Sequence, residues 1–184
     1  MYFSEAECHD PLCILKRDEL GLPLSNFTAY NARWAMPAEE SGGMLNMWYS
    51  FRYGAVHFMS IDTSTDFEGA AEQEKGGSHV FPGGYFGEDG EYMTWVESNL
   101  KSAAEDPTVK WIVAGGHRPL GSDNNSMALN GLFAKYGVAF YFAGHSHSYS
   151  RYLAEDHDGV VNVVGMYMRC HCDMHYYGIC HILP

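Results

Sequence analysis

Two apolar runs in the second half of the chain share one pattern. Residues 109–114 and 138–143 are rich in β-branched and aromatic side chains, and each run leads through glycine to histidine. Short apolar runs bounded by glycine are typical of buried strands. Between them, residues 126–136 place apolar side chains at roughly helical spacing. We therefore predict a strand, a helix and a second strand, the right-handed βαβ unit of a parallel sheet.

A hairpin and a second helix are predicted upstream of this unit. Residues 48–51 and 55–61 are apolar stretches on either side of a turn that contains Gly54, which indicates a β-hairpin. Residues 91–104 predict a helix with Asp89 as its cap. Its apolar stripe indicates core packing and consists of Tyr92, Val96, Leu100 and Ala103.

The remaining stretches carry weaker patterns. Residues 160–165 predict a last strand, residues 1–40 show no sustained period and should be mostly loop, and residues 66–90 read as a long surface loop. His57 lies within the predicted hairpin and suits a structural role. His79 is the only candidate ligand in the loop of residues 66–90, but nothing around it repeats the glycine-bounded histidine pattern, so we do not expect it to bind a metal. His157 lies in a turn and is best interpreted as a solvated residue.

Three histidines follow the two predicted parallel strands. His117 comes after the first strand, and His145 and His147 come after the second. Neighbouring parallel strands end at one edge of a sheet, where open α/β sheets place ligands. Neutral imidazole is the commonest metal ligand, and glycine lets the backbone turn sharply enough to aim it. The pattern favours a metal site; the alternative is that these are ordinary polar loop residues.

The two histidine blocks also resemble a known family. Residues 111–119 and the Gly-His-Ser-His of 144–147 are similar to two metal-binding blocks of the purple acid phosphatases, which are binuclear calcineurin-like metallophosphoesterases. Upstream similarity includes residues 26–33, 48–51 and 56–58, so the resemblance covers roughly residues 5–165. It implies an α/β fold, an incomplete calcineurin-like metallophosphoesterase sandwich of mixed β-sheet layers flanked by helices.

The resemblance also implies an activity and a metal centre. The family contains acid phosphatases that hydrolyse small phosphate monoesters at iron(III) paired with zinc, manganese or iron(II). His117 and His145 would bind the divalent metal, and His147 would bind the neighbouring iron(III).

Several family motifs do not occur in this chain. The family's other aspartate, tyrosine and asparagine ligands belong upstream of the matched region. Tyr2, Phe3 and Ser4 stand where the family has glycine, asparagine and the histidine that acts as catalytic acid. Catalytic and substrate-binding residues are therefore unassigned. We expect the isolated chain to bind at most one divalent ion and to have little activity.

The resemblance predicts that the chain consists of two regions, and it leaves three functional hypotheses. Residues 1–165 would be the C-terminal part of a metallophosphoesterase catalytic domain, and residues 166–184 a divergent Cys/His-rich tail. The leading hypothesis is an acid phosphatase represented by a truncated chain. The alternatives are a catalytically inactive fragment or homologue that acts as a binding module, and a small secreted protein whose tail binds zinc. The tail spacings match no usual zinc pair, which favours an unrelated end.

Net charge and short sequence motifs indicate which partners and which cellular compartment to expect. The net charge is -12, which argues against a nucleic-acid partner. No apolar segment has transmembrane length, and the first residues show no signal peptide. Asn26 and Asn124 begin glycosylation sequons. The family resemblance implies a secreted or vacuolar protein, in which Cys8 and Cys13 would form a local disulfide.

Overall fold

The structure, a computed structural model, describes residues 27–68, 70, 86–119, 127–145, 150–151 and 161–164. These residues form four helices and six strands. In chain order they are α1 (Thr28–Arg33), α2 (Ala38–Ser41), β1 (Tyr49–Tyr53), β2 (Val56–Ser60), α3 (Glu91–Glu105), β3 (Trp111–Gly115), α4 (Met127–Tyr136), β4 (Val138–Ala143), β5 (Ser150–Arg151) and β6 (Val161–Val164).

All six described strands belong to one mixed sheet in the order β1-β2-β3-β4-β6-β5. The pairs β2/β3, β3/β4 and β4/β6 are parallel, whereas β1/β2 and β5/β6 are antiparallel. The predicted βαβ unit of β3, α4 and β4 is confirmed, as are the hairpin of β1 and β2 and the last strand. The predicted α/β class, a mixed sheet flanked by helices, is therefore confirmed.

The core lies between one face of this sheet and helices α3 and α4. The predicted stripe of α3 is buried together with Trp95. Leu129 and Phe133 of α4 pack beside it, and Phe133 contacts Tyr141 of β4 with ring centroids 5.6 Å apart. The predicted cap of α3 was wrong: Gly90, at φ 75°, occupies the N-cap position. Glycine adopts this left-handed conformation without the steric penalty of a Cβ atom. The helix therefore begins after Gly90 without a side-chain cap.

The expectation that residues 1–40 are mostly loop was wrong for the described part of that stretch. Helices α1 and α2 contain six and four residues, which is too short to show a helical period in the sequence. Long-range contacts hold them instead, and in α2 the Ser41 carbonyl accepts from the Trp95 indole N–H at 2.9 Å. The amide of Asn46 donates to the Trp34 carbonyl at 2.9 Å, and its backbone N–H donates to the Asn31 side chain at 3.1 Å.

The sheet face turned away from α3 and α4 is also apolar. Alternate residues of the first four strands share this face, and several of them are about half exposed or more: Phe51 (45%), Tyr53 (80%), Trp111 (54%) and Phe142 (49%). Strands that are apolar on both faces are typical of sheets covered on both sides.

His57 has the predicted structural role. Its Nε2 lies 2.7 Å from Oδ1 of Asn99, and the Asn99 amide donates to the Ser50 hydroxyl at 3.0 Å. Asn99 on α3 therefore connects that helix to both strands of the hairpin.

Replacing Asn99 with alanine is expected to lower the free energy of unfolding by about 2 kcal/mol, because two partly buried partners lose their hydrogen bonds. Urea unfolding measures this change. Ser98→Ala is the matched control, since the Ser98 hydroxyl donates only within α3, to the Trp95 carbonyl. Equal stability of the two variants would contradict the bridging role of Asn99.

Several predictions fall outside the described residues. These are the Cys8–Cys13 disulfide, the sequons at Asn26 and Asn124, the disfavoured ligand His79, the solvated histidine His157, the third candidate ligand His147, and the tail at residues 166–184. None of the helices in the described part of the chain combines the length and the hydrophobicity that crossing a bilayer requires.

Candidate metal centre

The loops after β3 and β4 lie side by side at the carboxyl edge of the sheet. His117 lies two residues beyond β3, and His145 lies two residues beyond β4. Backbone hydrogen bonds join the loops past the strand ends. Gly116 N–H donates to the Phe142 carbonyl at 3.0 Å, and Gly144 N–H donates to the His117 carbonyl at 2.9 Å. The parallel pairing that the sequence predicted thus brings the two histidines together.

The imidazoles of His117 and His145 face each other. Nε2 of His117 lies 3.2 Å from Nδ1 of His145, and the rings are nearly perpendicular with centroids 5.1 Å apart. Two nitrogens bound to one tetrahedral zinc ion, at about 2.0–2.1 Å each, would be about 3.3 Å apart. The pair therefore fits two positions of a divalent metal site. At the same separation, one ring can instead donate a hydrogen bond to the other.

His145 adopts an unusual backbone conformation. Its φ is +67°, in the left-handed region that few residues other than glycine occupy. Histidine is among the side chains that tolerate this region best, and strained residues of this kind cluster at binding and catalytic sites. The conformation lets the chain turn immediately after Gly144.

Arg118 adds a positive charge to the same edge. One guanidinium nitrogen, Nη1, lies 3.4 Å from Nε2 of His145. Donation from Arg118 to Nε2 places the single ring hydrogen of neutral His145 on Nδ1, which then faces His117. A metal at Nδ1 would require the other tautomer, so metal binding and this arginine contact exclude each other.

Sequence reasoning missed two side chains that hold the His117 loop. Oγ1 of Thr63 accepts hydrogen bonds from the backbone N–H groups of His117, at 3.1 Å, and Arg118, at 2.9 Å. The Tyr141 hydroxyl donates to the Arg118 carbonyl at 2.6 Å. Burial raises the pKa of Tyr141 above its usual range, which keeps this hydroxyl protonated. The sequence feature that could have identified Thr63 is its position just after β2, the strand that runs parallel to β3.

Gly116 is required where these elements meet. A Cβ at this position would lie 2.7 Å from Cγ2 of Thr63 and 2.7 Å from the Tyr141 hydroxyl oxygen. Real Cβ atoms essentially never approach other heavy atoms this closely. The glycine therefore permits the loop to pass between two buried side chains.

A buried polar turn lies directly behind Thr63. The Asp62 carboxylate accepts hydrogen bonds from the N–H groups of Ser64 and Thr65, and the Thr65 hydroxyl contacts both Asp62 and Asp66. Burial raises the pKa of Asp62 to about 6, although hydrogen bonds from Thr65 and Ser64 lower it; the charge of Asp66 raises it further. One hydroxyl hydrogen cannot serve two carboxylates, so a protonated Asp62 satisfies this turn best.

A cavity of about 420 Å³ opens beside the His117 loop. The strand ends contribute Thr63, His117 and Phe142 to its wall, and the start of the described chain contributes Phe27 and Tyr30. The cavity thus combines a candidate ligand with an apolar wall, as small-molecule sites usually do.

The metal assignment stays a prediction. Within the described ranges, no three His, Cys, Asp or Glu side chains are grouped so that they could hold an ion. His117 and His145 are brought together, and His147 lies outside the described residues.

Comparison with known proteins shows similarity to phosphatases. An acid phosphatase of Aspergillus ficuum is 33% identical over 170 residues, covering 77% of this chain and 28% of its own length. Probable purple acid phosphatase 20 of Arabidopsis thaliana is 34% identical over 68% of this chain and 27% of its own length. Acid phosphatase A of Cryphonectria parasitica is 32% identical over 90% of this chain and 39% of its own length. No protein-family model matches. The chain thus spans well under half of each of these relatives.

Proposed function

This chain belongs to the purple acid phosphatase family, and from that premise we propose that it forms part of an enzyme that hydrolyses small phosphate monoesters at acidic pH. The observation that carries the proposal is the 3.2 Å approach of the His117 and His145 ring nitrogens. In this proposal residues 1–165 belong to a larger catalytic domain. Among the described residues, four apolar side chains on one face of the sheet are about half exposed or more, which supports this, since such faces are normally covered.

The proposed metal ligands are His117, His145 and His147. His117 and His145 would hold a divalent zinc, manganese or iron(II) ion, and His147 would hold the neighbouring iron(III). A pair of such cations binds phosphate and supplies an activated water for in-line attack at phosphorus. Three imidazoles carry no negative charge to balance two cations, so we expect the isolated chain to hold one divalent ion at most.

The other residues of the site would act on the loop and on the substrate. Thr63 and Tyr141 fix the backbone at residues 117–118 through its N–H groups and its carbonyl. With His145 as a metal ligand through Nδ1, its Nε2 would carry the ring hydrogen and would not accept from Arg118. The Arg118 guanidinium would lie close enough to the site to bind phosphate oxygens, which match its paired N–H donors.

The proposed route is secretory or vacuolar. The two sequons at Asn26 and Asn124, and the close spacing of Cys8 and Cys13, support a glycosylated protein of an oxidising compartment. Mass spectrometry of the native protein, before and after enzymatic deglycosylation, tests this; an unmodified mass would contradict it.

The central test combines metal binding with hydrolysis. Zinc binding to the full chain is measured by calorimetry, and p-nitrophenyl phosphate hydrolysis is followed at acidic pH with and without added iron and zinc. His117→Ala and His145→Ala should each weaken zinc binding by at least about 10-fold, because each removes one of few ligands. His79→Ala is the histidine control and should bind as the wild type does.

The outcomes separate the hypotheses. Zinc binding that depends on His117 and His145 would support the proposed metal site, and little hydrolysis by the isolated chain is expected in either case. An upstream coding sequence without the family's aspartate, tyrosine and asparagine-histidine blocks would favour the catalytically inactive fragment or binding module. Zinc binding that survives both alanine variants but disappears in serine variants of Cys170, Cys172 and Cys180 would favour the zinc tail. Zinc binding confined to the tail would contradict the proposed metal site at His117 and His145.

A further inference from the structure

We infer that Thr63 is a positioning residue for the metal centre, because one atom of its side chain fixes the peptide that aims the His117 ring. This inference rests on the proposed function, since it presupposes that His117 binds a metal. Thr63 itself is not one of the proposed metal ligands. Its hydroxyl oxygen is directed at two consecutive backbone N–H groups, those of His117 and Arg118.

These two N–H groups lie beyond the end of β3 and are not part of its strand pairing. β3 ends at Gly115, and on the side of β2 the last backbone hydrogen bond is from Ile61 N–H to the Gly115 carbonyl, at 2.9 Å. Beyond that point the backbone needs another acceptor, because an unpaired N–H group that is removed from water destabilises the fold. Thr63 is itself only 6% exposed, so its oxygen lies in a region with little water to take its place.

The opposite edge of the same peptide is held from the neighbouring strand. The His117 carbonyl accepts from Gly144 N–H at 2.9 Å, and the Arg118 carbonyl accepts from the Tyr141 hydroxyl at 2.6 Å. Contacts from the β4 side therefore take the carbonyls, while Thr63, after β2, takes the N–H groups. Removing the Thr63 oxygen leaves the loop anchored on one side, which allows the peptide to rotate and turns the His117 ring away from His145.

The methyl group of Thr63 fixes the direction of the hydroxyl. Cγ2 packs against Gly116, where a Cβ would approach it to 2.7 Å. With the methyl seated on the glycine, χ1 is confined and the oxygen is directed at the loop, as expected for a stiff β-branched side chain. Serine keeps the oxygen without the methyl, and valine keeps the shape without the oxygen. The pair therefore separates hydrogen bonding from packing.

The test is a Co²⁺ titration of the full chain, followed by its visible absorption bands, with His117→Ala defining the part of the signal that belongs to this site. Thr63→Val is expected to weaken Co²⁺ binding about 10- to 100-fold, as loss of a supporting partner to a metal ligand typically does. Thr63→Ser should retain most of the affinity. Leu100→Ala is the stability control: it removes a fully buried side chain of α3 and should lower the melting temperature while leaving Co²⁺ affinity unchanged.

Two results would overturn the inference in distinguishable ways. If wild-type chain binds Co²⁺ through His117 and Thr63→Val binds it equally well, the positioning role is wrong and the proposed function stands. If the wild type shows no His117-dependent Co²⁺ signal, the proposed metal site fails and the inference fails with it. An affinity loss in Leu100→Ala as large as that in Thr63→Val would also overturn it, because general destabilisation would then explain both.

Discussion

Replacing Gly116 with alanine is expected to lower the free energy of unfolding by about 3 kcal/mol, as overpacking of a tight interior does, and to weaken metal binding through His117. The added methyl would lie 2.7 Å from both Cγ2 of Thr63 and the Tyr141 hydroxyl oxygen. Both neighbours are buried, and Tyr141 is also held by its bond to the Arg118 carbonyl. Neither can move without breaking a hydrogen bond that shapes the His117 loop.

Urea unfolding and calorimetric zinc titration measure the two effects of Gly116→Ala. Gly131→Ala is the matched control, because Gly131 lies inside α4 and no neighbouring side chain comes within 4 Å of the place where the methyl group would lie. Alanine there should raise stability by up to about 1 kcal/mol, since glycine is a poor helix former. A Gly116→Ala chain with wild-type stability and zinc affinity would show that the loop does not need the close approach.

Replacing Asp62 with asparagine is expected to stabilise the protein above pH 6 and to have little effect near pH 4. Burial raises the pKa of Asp62 from 3.8 to about 6. Between pH 3.8 and 6 the folded protein therefore keeps a proton that the unfolded chain has released. The stabilisation that comes with this proton is fully present below pH 3.8 and is lost as the pH rises through 6. The change corresponds to about 3 kcal/mol at most.

Asparagine imitates the protonated carboxyl group of Asp62. Its oxygen can accept from the N–H groups of Ser64 and Thr65, and its amide can donate to the Thr65 hydroxyl. The Thr65 hydrogen is then directed to Asp66, which it already contacts at 2.6 Å. The variant should therefore lose the fall in stability that the wild type shows between pH 4 and 8.

Urea unfolding of both chains across pH 4–8 tests this prediction. Asp106→Asn provides a control of opposite sign, because the Thr108 side chain and N–H group and the Arg52 guanidinium lower the pKa of the exposed Asp106. The contribution of Asp106 is present above pH 3.8 and is lost as the pH falls. If wild type and Asp62→Asn differ by the same amount at every pH, Asp62 remains ionised in the folded protein.

The predictions from sequence succeeded where the chain repeats a regular period. The stripe of α3 and the apolar runs of β3 and β4 are local patterns, and burial on a sheet face follows from them. The meeting of His117 and His145 also followed, because parallel neighbouring strands must end at the same edge. No knowledge of distant contacts was needed for these results.

The predictions from sequence were wrong or missing where a helix or side chain depends on residues that are far away in the chain. Helices α1 and α2 are too short for a period, and the cap of α3 depends on the turn conformation of Gly90. Thr63 lies 54 positions before His117 in the chain, and it resembles any other threonine after a strand. The protonation of Asp62 depends on how completely the surrounding chain excludes water.

The sequence by itself determined the hairpin, the parallel unit of β3, α4 and β4, and the edge at which His117 and His145 meet, because these follow from periodicity and from the pairing of neighbouring parallel strands. Only the tertiary structure decided how the His117 loop is held. Hydrogen bonds from Thr63 and Tyr141, and the contact permitted by Gly116, join three strands at positions far apart in the chain. Such contacts require fixed distances between side chains, and these exist only once the sheet has formed.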